Sequence, residues 1–410
     1  MSNKKARKER ILKNLKNQNR KKLVLLIFTV ILCLCGVVSG VMATVSTIKK
    51  SRSEKTVRVA FYGLSEEYVK VLKERIPVEE KITLKCDVLS EGNLDLGALK
   101  QKYDMLFTWK GEVTDTLEAS SEDIPVKILD TMPSSLKNKK CVPILLDHCE
   151  LAYSIDVVNN SSGSLPSSYS SFLNYLNTAK SQVFSPFFCA GADDRIITAF
   201  VGSLVEATGG VQAYNALISE LKAGTNFNEL LEKKLGNSSV TLGSVLETIK
   251  AWPKEGLAHP AWFSGQKNDL IYFAHDNHVG VFFTFLHDHR EIPYETISKF
   301  ESFVVPPISS TTEYGIIAPA ISCMLLSDNS NCKRYLAEFF TEEAQAELSN
   351  YTKLAPVHSR AQAYDRQADD VRYWAASCPG GALPDLYLAV WQRNPTGCAE
   401  FAKNIRNMIQ

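Results

Sequence analysis

The body of the chain alternates between strand-like and helix-like hydrophobic patterns. Val57–Tyr62 (VRVAFY) is a short apolar run that predicts a strand. Ser65 follows as a helix N-cap, with Glu66 and Glu67 placed favourably in the first turn. Tyr68, Val69, Val71, Leu72 and Ile76 then recur at helical spacing. Ile82–Leu89 (ITLKCDVL) predicts the next strand, Leu94–Lys102 a helix, and Tyr103–Trp109 (YDMLFTW) a third strand. Such a βαβαβ order implies parallel strands joined by right-handed crossovers.

Beyond this the helical patterns lengthen. Pro166 and Ser167 open a predicted helix through Lys180, with Phe172, Leu173 and Leu176 on one face. Asp193 caps a strongly amphipathic helix carrying Ile196, Ile197, Phe200, Val201 and Leu204, and Gly209-Gly210 reads as its terminator. Further helices are expected at 211–222, 226–235 and 241–251. Strands are expected at Asp269–Phe273, His278–Phe285 and Ser302–Val305, then a helical stretch at 331–349 and a mostly helical C-terminus from Ala382.

Charge changes the picture at the N-terminus. Residues 1–22 hold ten Lys or Arg and one acid, Glu9, which leaves −8 on the remainder of a chain whose net charge is +1. A mildly acidic body does not suit a duplex nucleic-acid binder. Leu23–Val45 carries no charge over 23 residues, enough for a helix to span a hydrocarbon core of about 30 Å. The basic block before it predicts a cytoplasmic N-terminus and an exported body. A retained single-pass anchor is the expectation. A cleaved signal peptide, with Val41-Met42-Ala43 as its small-residue site, is the alternative. Lipidation at Cys33 or Cys35 is disfavoured by the bulky Leu32 and Leu34 before them. Residues 46–56 read as a linker.

Ten cysteines are present, eight of them in the body: Cys86, Cys141, Cys149, Cys189, Cys323, Cys332, Cys378 and Cys398. Export permits disulfides, and buried, unpaired thiols account for them equally well. No CxxC occurs, so neither a redox motif nor a zinc ribbon is indicated.

No GxSxG elbow, phosphate-binding GxxxxGK[ST] loop, HExxH or GxGxxG after a strand is present. Four of the seven histidines fall close together at His275, His278, His287 and His289, with Asp276 and Asp288 between them. Those residue types suit zinc. The predicted strand between the two halves separates them by roughly 20 Å, at about 3.3 Å per residue, so one ion cannot use both. An exported metal-binding receptor or hydrolase is therefore the weakest reading. Trp109, Phe187, Phe188, Phe285 and Tyr387 lie at predicted loop junctions, where aromatic faces can stack on sugar rings or simply pack in a core.

One order of segments is recognisable. Phe300–Pro307 (FESFVVPP), Tyr314–Ala320 (YGIIAPA) and Ile321–Ser327 (ISCMLLS) precede Asn331–Thr341 (NCKRYLAEFFT), Glu342–Leu348 (EEAQAEL) and Leu354–Val357 (LAPV). Val142–Asp156 (VPILLDHCELAYSID), Leu165–Tyr175 (LPSSYSSFLNY) and Gly280–Phe285 (GVFFTF) agree in the first part. The arrangement resembles the extracellular solute-binding proteins of ABC importers, of the maltose-binding type, over residues 57–410. The resemblance implies an α/β, two-lobe, type II periplasmic-binding fold (a Venus flytrap) behind the N-terminal segment. It implies a first lobe of 57–146 and 298–347, and a second of 147–297 and 348–410. The ligand site it implies comprises Tyr62, Trp109, Lys110, Asp147, Phe187, Phe285 and Tyr387. Several family signatures are lost, among them the Thr-Trp-Glu of the helix at 165–175. The implied function is a monomeric receptor that closes on a small solute, carbohydrate or otherwise, and delivers it to permease subunits, with no cofactor, metal or catalysis. The same fold kept on its anchor as a ligand sensor or scaffold is the rival.

Overall fold

Alternation along the first strand decides which side chains face which layer. Val57, Val59 and Phe61 enter one hydrophobic cluster, and Ala60 and Tyr62 enter another on the opposite face. The computed structural model describes residues 55–90, 92, 94–308 and 313–410. The apolar run at 23–45 and the basic segment before it lie outside these residues.

The described strands are β1 Thr56–Tyr62, β2 Thr83–Leu89, β3 Met105–Trp109, β4 Val142–Leu146, β5 Cys149–Ser154, β6 Ser185–Cys189, β7 Val279–Phe285, β8 Phe300–Phe303, β9 Ile316–Ile317, β10 Ala320–Leu325, β11 Ala355–Pro356 and β12 Ala382–Leu383. A six-stranded sheet in the order β11-β4-β10-β3-β1-β2 forms the first lobe. β1 and β3 are parallel, with Phe61 opposite Phe107 and their rings stacked at 5.3 Å. A four-stranded sheet in the order β6-β7-β5-β8 forms the second lobe. Its core is aromatic: Phe187, Phe200, Trp252, Trp262 and Phe283 pack against one another. The chain leaves the first sheet at Leu146 and enters the second at Cys149.

Several predicted elements differ. Asp269–Phe273 is no strand: it lies in a helix, Lys267–His275, that buries only Leu270 and Ala274. Apolar runs this short fit either period, and here the i, i+4 pair decides. Gly209-Gly210 does close a helix as expected: Gly210 takes the non-helical φ 75° and ψ −179°, and a second helix follows it at once, so that the stretch Asp194–Lys222 is two helices joined at a kink. The stretch at 331–349 divides into Ser330–Glu338 and Glu342–Thr352, the second capped by Thr341. A helix at Arg366–Ser377 was not anticipated.

The expected lobe boundaries at 298 and 348 also shift. β8 pairs with β5, so 300–303 belongs to the second sheet. β11 pairs with β4, which keeps 355–356 in the first. Backbone pairing, which no local pattern reveals, sets both crossings. The eight cysteines of the body are free, and all but Cys86 are buried. The small-hydrophobe account therefore holds for them.

Candidate functional site

The C-terminal ends of β3 and β7 face one another across the two lobes and bring Trp109 and Phe285 together. Between them lies the guanidinium of Arg195, from the first turn of helix Asp194–Lys222. Its central carbon is 5.4 Å from the Trp109 ring, 4.6 Å from Phe285 and 6.0 Å from Tyr387. These are cation–π distances. Arg195 Nε donates to Asp385 Oδ2 at 2.7 Å, and Asp385 is wholly buried. Asp385 Oδ1 meanwhile accepts from Leu388 N–H, so both its oxygens are used and its position is fixed. Arg195 Nη2 is buried without a hydrogen-bond partner. Burial disfavours the charge, but the Asp385 and Asp147 carboxylates outweigh it and hold the guanidinium protonated more firmly than usual.

Asp147 sits in the crossing between β4 and β5. Its Oδ1 accepts from His148 N–H, and its Oδ2 lies 2.7 Å from His287 Nδ1. Burial opposes the carboxylate, yet the His287 and Arg195 charges pull its pKa below the ordinary 3.8. Burial likewise opposes the imidazolium, yet Asp147 lifts His287 above the ordinary 6.5. The lowered acid stabilises the fold above 3.8 and loses that as pH falls through its folded value. The raised base stabilises below 6.5 and loses that as pH rises through its folded value. The pair thus ties the β4–β5 crossing to the turn after β7 from mildly acidic to about neutral pH. Three residues on from Asp147, in β5, Glu150 meets His289, Ser302 and Gln367. There His289 and His148 outweigh burial and draw Glu150 down to about 2.

Beside Arg195 a pocket of about 450 Å³ opens, lined in part by Asp193, Gln266, Lys267, Phe285, His287 and Asp288. Lys267 pairs with Asp288 at 2.5 Å and Glu291 at 2.7 Å. Each cation around the pocket therefore already has a carboxylate. Such a lining offers both hydrogen-bond donors and acceptors with no unpaired cation, which suits a polyhydroxyl solute.

The lobes also touch directly. Gln392, from the segment after β12, donates to Thr108 Oγ1 and to Trp109 C=O and accepts from Val113 N–H. Arg393 pairs with Glu112, and Lys222 pairs with Asp115 at 3.3 Å.

Of the residues the resemblance implied, Trp109, Phe285, Tyr387 and Asp147 come together around Arg195. Tyr62 is instead buried beneath Gln392, its hydroxyl 3.3 Å from that residue's carbonyl. Phe187 is wholly inside the second lobe's core, stacked on Phe200 at 4.9 Å, and does not face the cleft. Its place next to Pro186 could not distinguish a strand-end ring that points inward from one that points out. Lys110 lines a separate cavity of about 110 Å³ with Ala318 and Pro384. The histidines divide as the spacing required: His275 bonds Asp276, whereas His287 and His289 meet the acids of the crossing strand. Among the described residues no group of three or more His, Cys, Asp and Glu is placed to hold a metal. Arg195, Asp385 and Gln392 escaped sequence reasoning. Arg195 left one signal, a cation in the first turn of a helix, where the macrodipole disfavours it.

No protein-family model and no curated protein sequence matches the chain. The likeness appears in three dimensions. The bacterial solute receptor AcbH, described as preferring β-D-galactopyranose, superposes with a TM-score of 0.67 at 12% identity, over 86% of this chain and 92% of its own. The putative binding protein MsmE from Bacillus subtilis subsp. subtilis str. 168, in an open conformation, gives 0.66 at 15%, over 87% and 95%. Apo RafE from Streptococcus pneumoniae gives 0.63 at 14%, over 87% and 96%. The chain has the two-lobe α/β fold of these solute-binding proteins, and the neighbours are binding proteins rather than enzymes.

Proposed function

We propose that this protein is an extracytoplasmic solute-binding receptor for a carbohydrate or another small polar solute, held at the membrane by its N-terminal segment. Its lobes would close on the ligand by hinge bending and present it to ABC permease subunits. No bond is made or broken in this reading, and no residue is assigned a catalytic role. The observation that carries it is the pocket of about 450 Å³ beside Arg195, lined largely by polar and charged side chains whose cations are already paired. The fold and the sugar-binding descriptions of its structural neighbours agree with it.

Calorimetric titration of the full-length protein with a panel of saccharides tests the reading. A ligand at about 100 times its Kd adds about 2.7 kcal/mol of stability, and Phe285→Ala should abolish the effect. A folded protein that responds to no saccharide or other small solute defeats it. The rival, a tethered sensor or scaffold, is favoured by a different observation: Arg195 and Gln392 already fill the contact between the lobes.

A further inference from the structure

Trp109, Phe285 and Tyr387 surround a position that a flat, weakly hydrated cation fits. The faces of three rings supply negative quadrupole, and the buried carboxylate of Asp385 supplies the counter-charge. Arg195 is the cation found there. Its Nε uses Asp385, while Nη2 is buried with no acceptor. Ring faces, not hydrogen bonds, therefore hold that end of the group. Trp109 belongs to the first lobe. Phe285, Tyr387, Asp385 and Arg195 belong to the second, so the stack on Trp109 joins the lobes.

We infer that the Trp109–Phe285–Tyr387–Asp385 box is an organic-cation site, and that its occupant is the protein's own Arg195, an internal ligand that holds the lobes together. The inference goes beyond the receptor reading and does not need it. A solute in the adjoining pocket meets this box already filled. A saccharide ring therefore stacks between Trp109 and Phe285 only if Arg195 leaves.

Arg195→Ala empties the box, and the probe is methylguanidinium chloride at low millimolar concentration, against matched sodium chloride and urea. The expected result is that the variant scatters X-rays with a larger radius of gyration than the wild type. Methylguanidinium should reverse this, bind roughly tenfold more tightly than to the wild type, the step a desolvated cation–π contact supplies, and fail to do so once Asp385→Asn is added. A variant that responds to methylguanidinium no more than the wild type overturns the inference. Should Arg195→Ala not fold, the ¹⁵Nε resonance of Arg195 in the wild type decides, with Arg195→Lys for assignment. A ring-shifted, slowly exchanging N–H supports the box, and an ordinary solvent-like signal refutes it. None of these measurements on the cation uses a sugar, so the receptor reading stands or falls separately on the wild-type saccharide titration.

Discussion

Buried charge is the chief residue-scale feature, and its cost depends on partners. Arg195, Asp147 and Glu150 each have counter-charges close by. Glu206 does not. It is buried in the helix Asp194–Lys222, where its Oε1 accepts from Gly315 N–H at 2.6 Å. Burial dominates that single bond and pushes the carboxyl from the ordinary 4.5 up to about 7. An acid raised in the folded state contributes stability below its unfolded pKa, and that is lost as pH rises through the folded one. Glu206→Gln keeps the shape and the acceptor but carries no charge. The variant should match the wild type near pH 4 and exceed it above pH 7, by at most about 3 kcal/mol. Urea denaturation at both pH values checks this, and equal stability differences at both would show that Glu206 is already satisfied as a carboxylate.

At the scale of elements, short apolar runs carried the ambiguity. Ser65 and Asp193 capped the helices expected of them, because an N-cap acts on its own next turn. Asp269–Phe273 became a helix because packing, not period, chose the buried pair. Gly210 was legible as a break. With φ 75° and ψ −179° it occupies a region that is essentially reserved for glycine. It ends one helix, as a terminator should, and the next begins directly after it. Gly210→Ala should destabilise the protein by about 1–3 kcal/mol, seen as a lower urea midpoint with an unchanged slope. An unchanged midpoint would mean that the kink tolerates a side chain.

The whole molecule is governed by how the lobes meet. Gln392 satisfies three buried backbone and side-chain groups of the first lobe from a segment packed on the second. An unpaired buried group costs about 1–3 kcal/mol. The lobes can avoid that cost by parting and admitting water. Gln392→Ala is therefore expected to increase the radius of gyration measured by small-angle scattering, with Trp109 fluorescence shifting to the red. Compactness equal to the wild type would mean that Arg195 and the Arg393–Glu112 pair suffice for closure.

The linear sequence determined the local features of this protein: strand alternation, most caps, and the βαβαβ opening at Val57. The order of segments also brought the two-lobe fold into view. Neighbours in the chain decide these features, so they can be read along it. Four of the seven implied site residues, Trp109, Asp147, Phe285 and Tyr387, meet in the structure, because strand ends in this topology converge on the cleft. Only the tertiary structure decided that Phe187 turns into the core and that Tyr62 lies under Gln392. It alone placed Arg195 against Asp385, 190 positions away, and gave His287 and His289 the acids of the crossing strand. Contacts across such separations arise from packing two sheets and their loops together, and no period or motif along the chain encodes them.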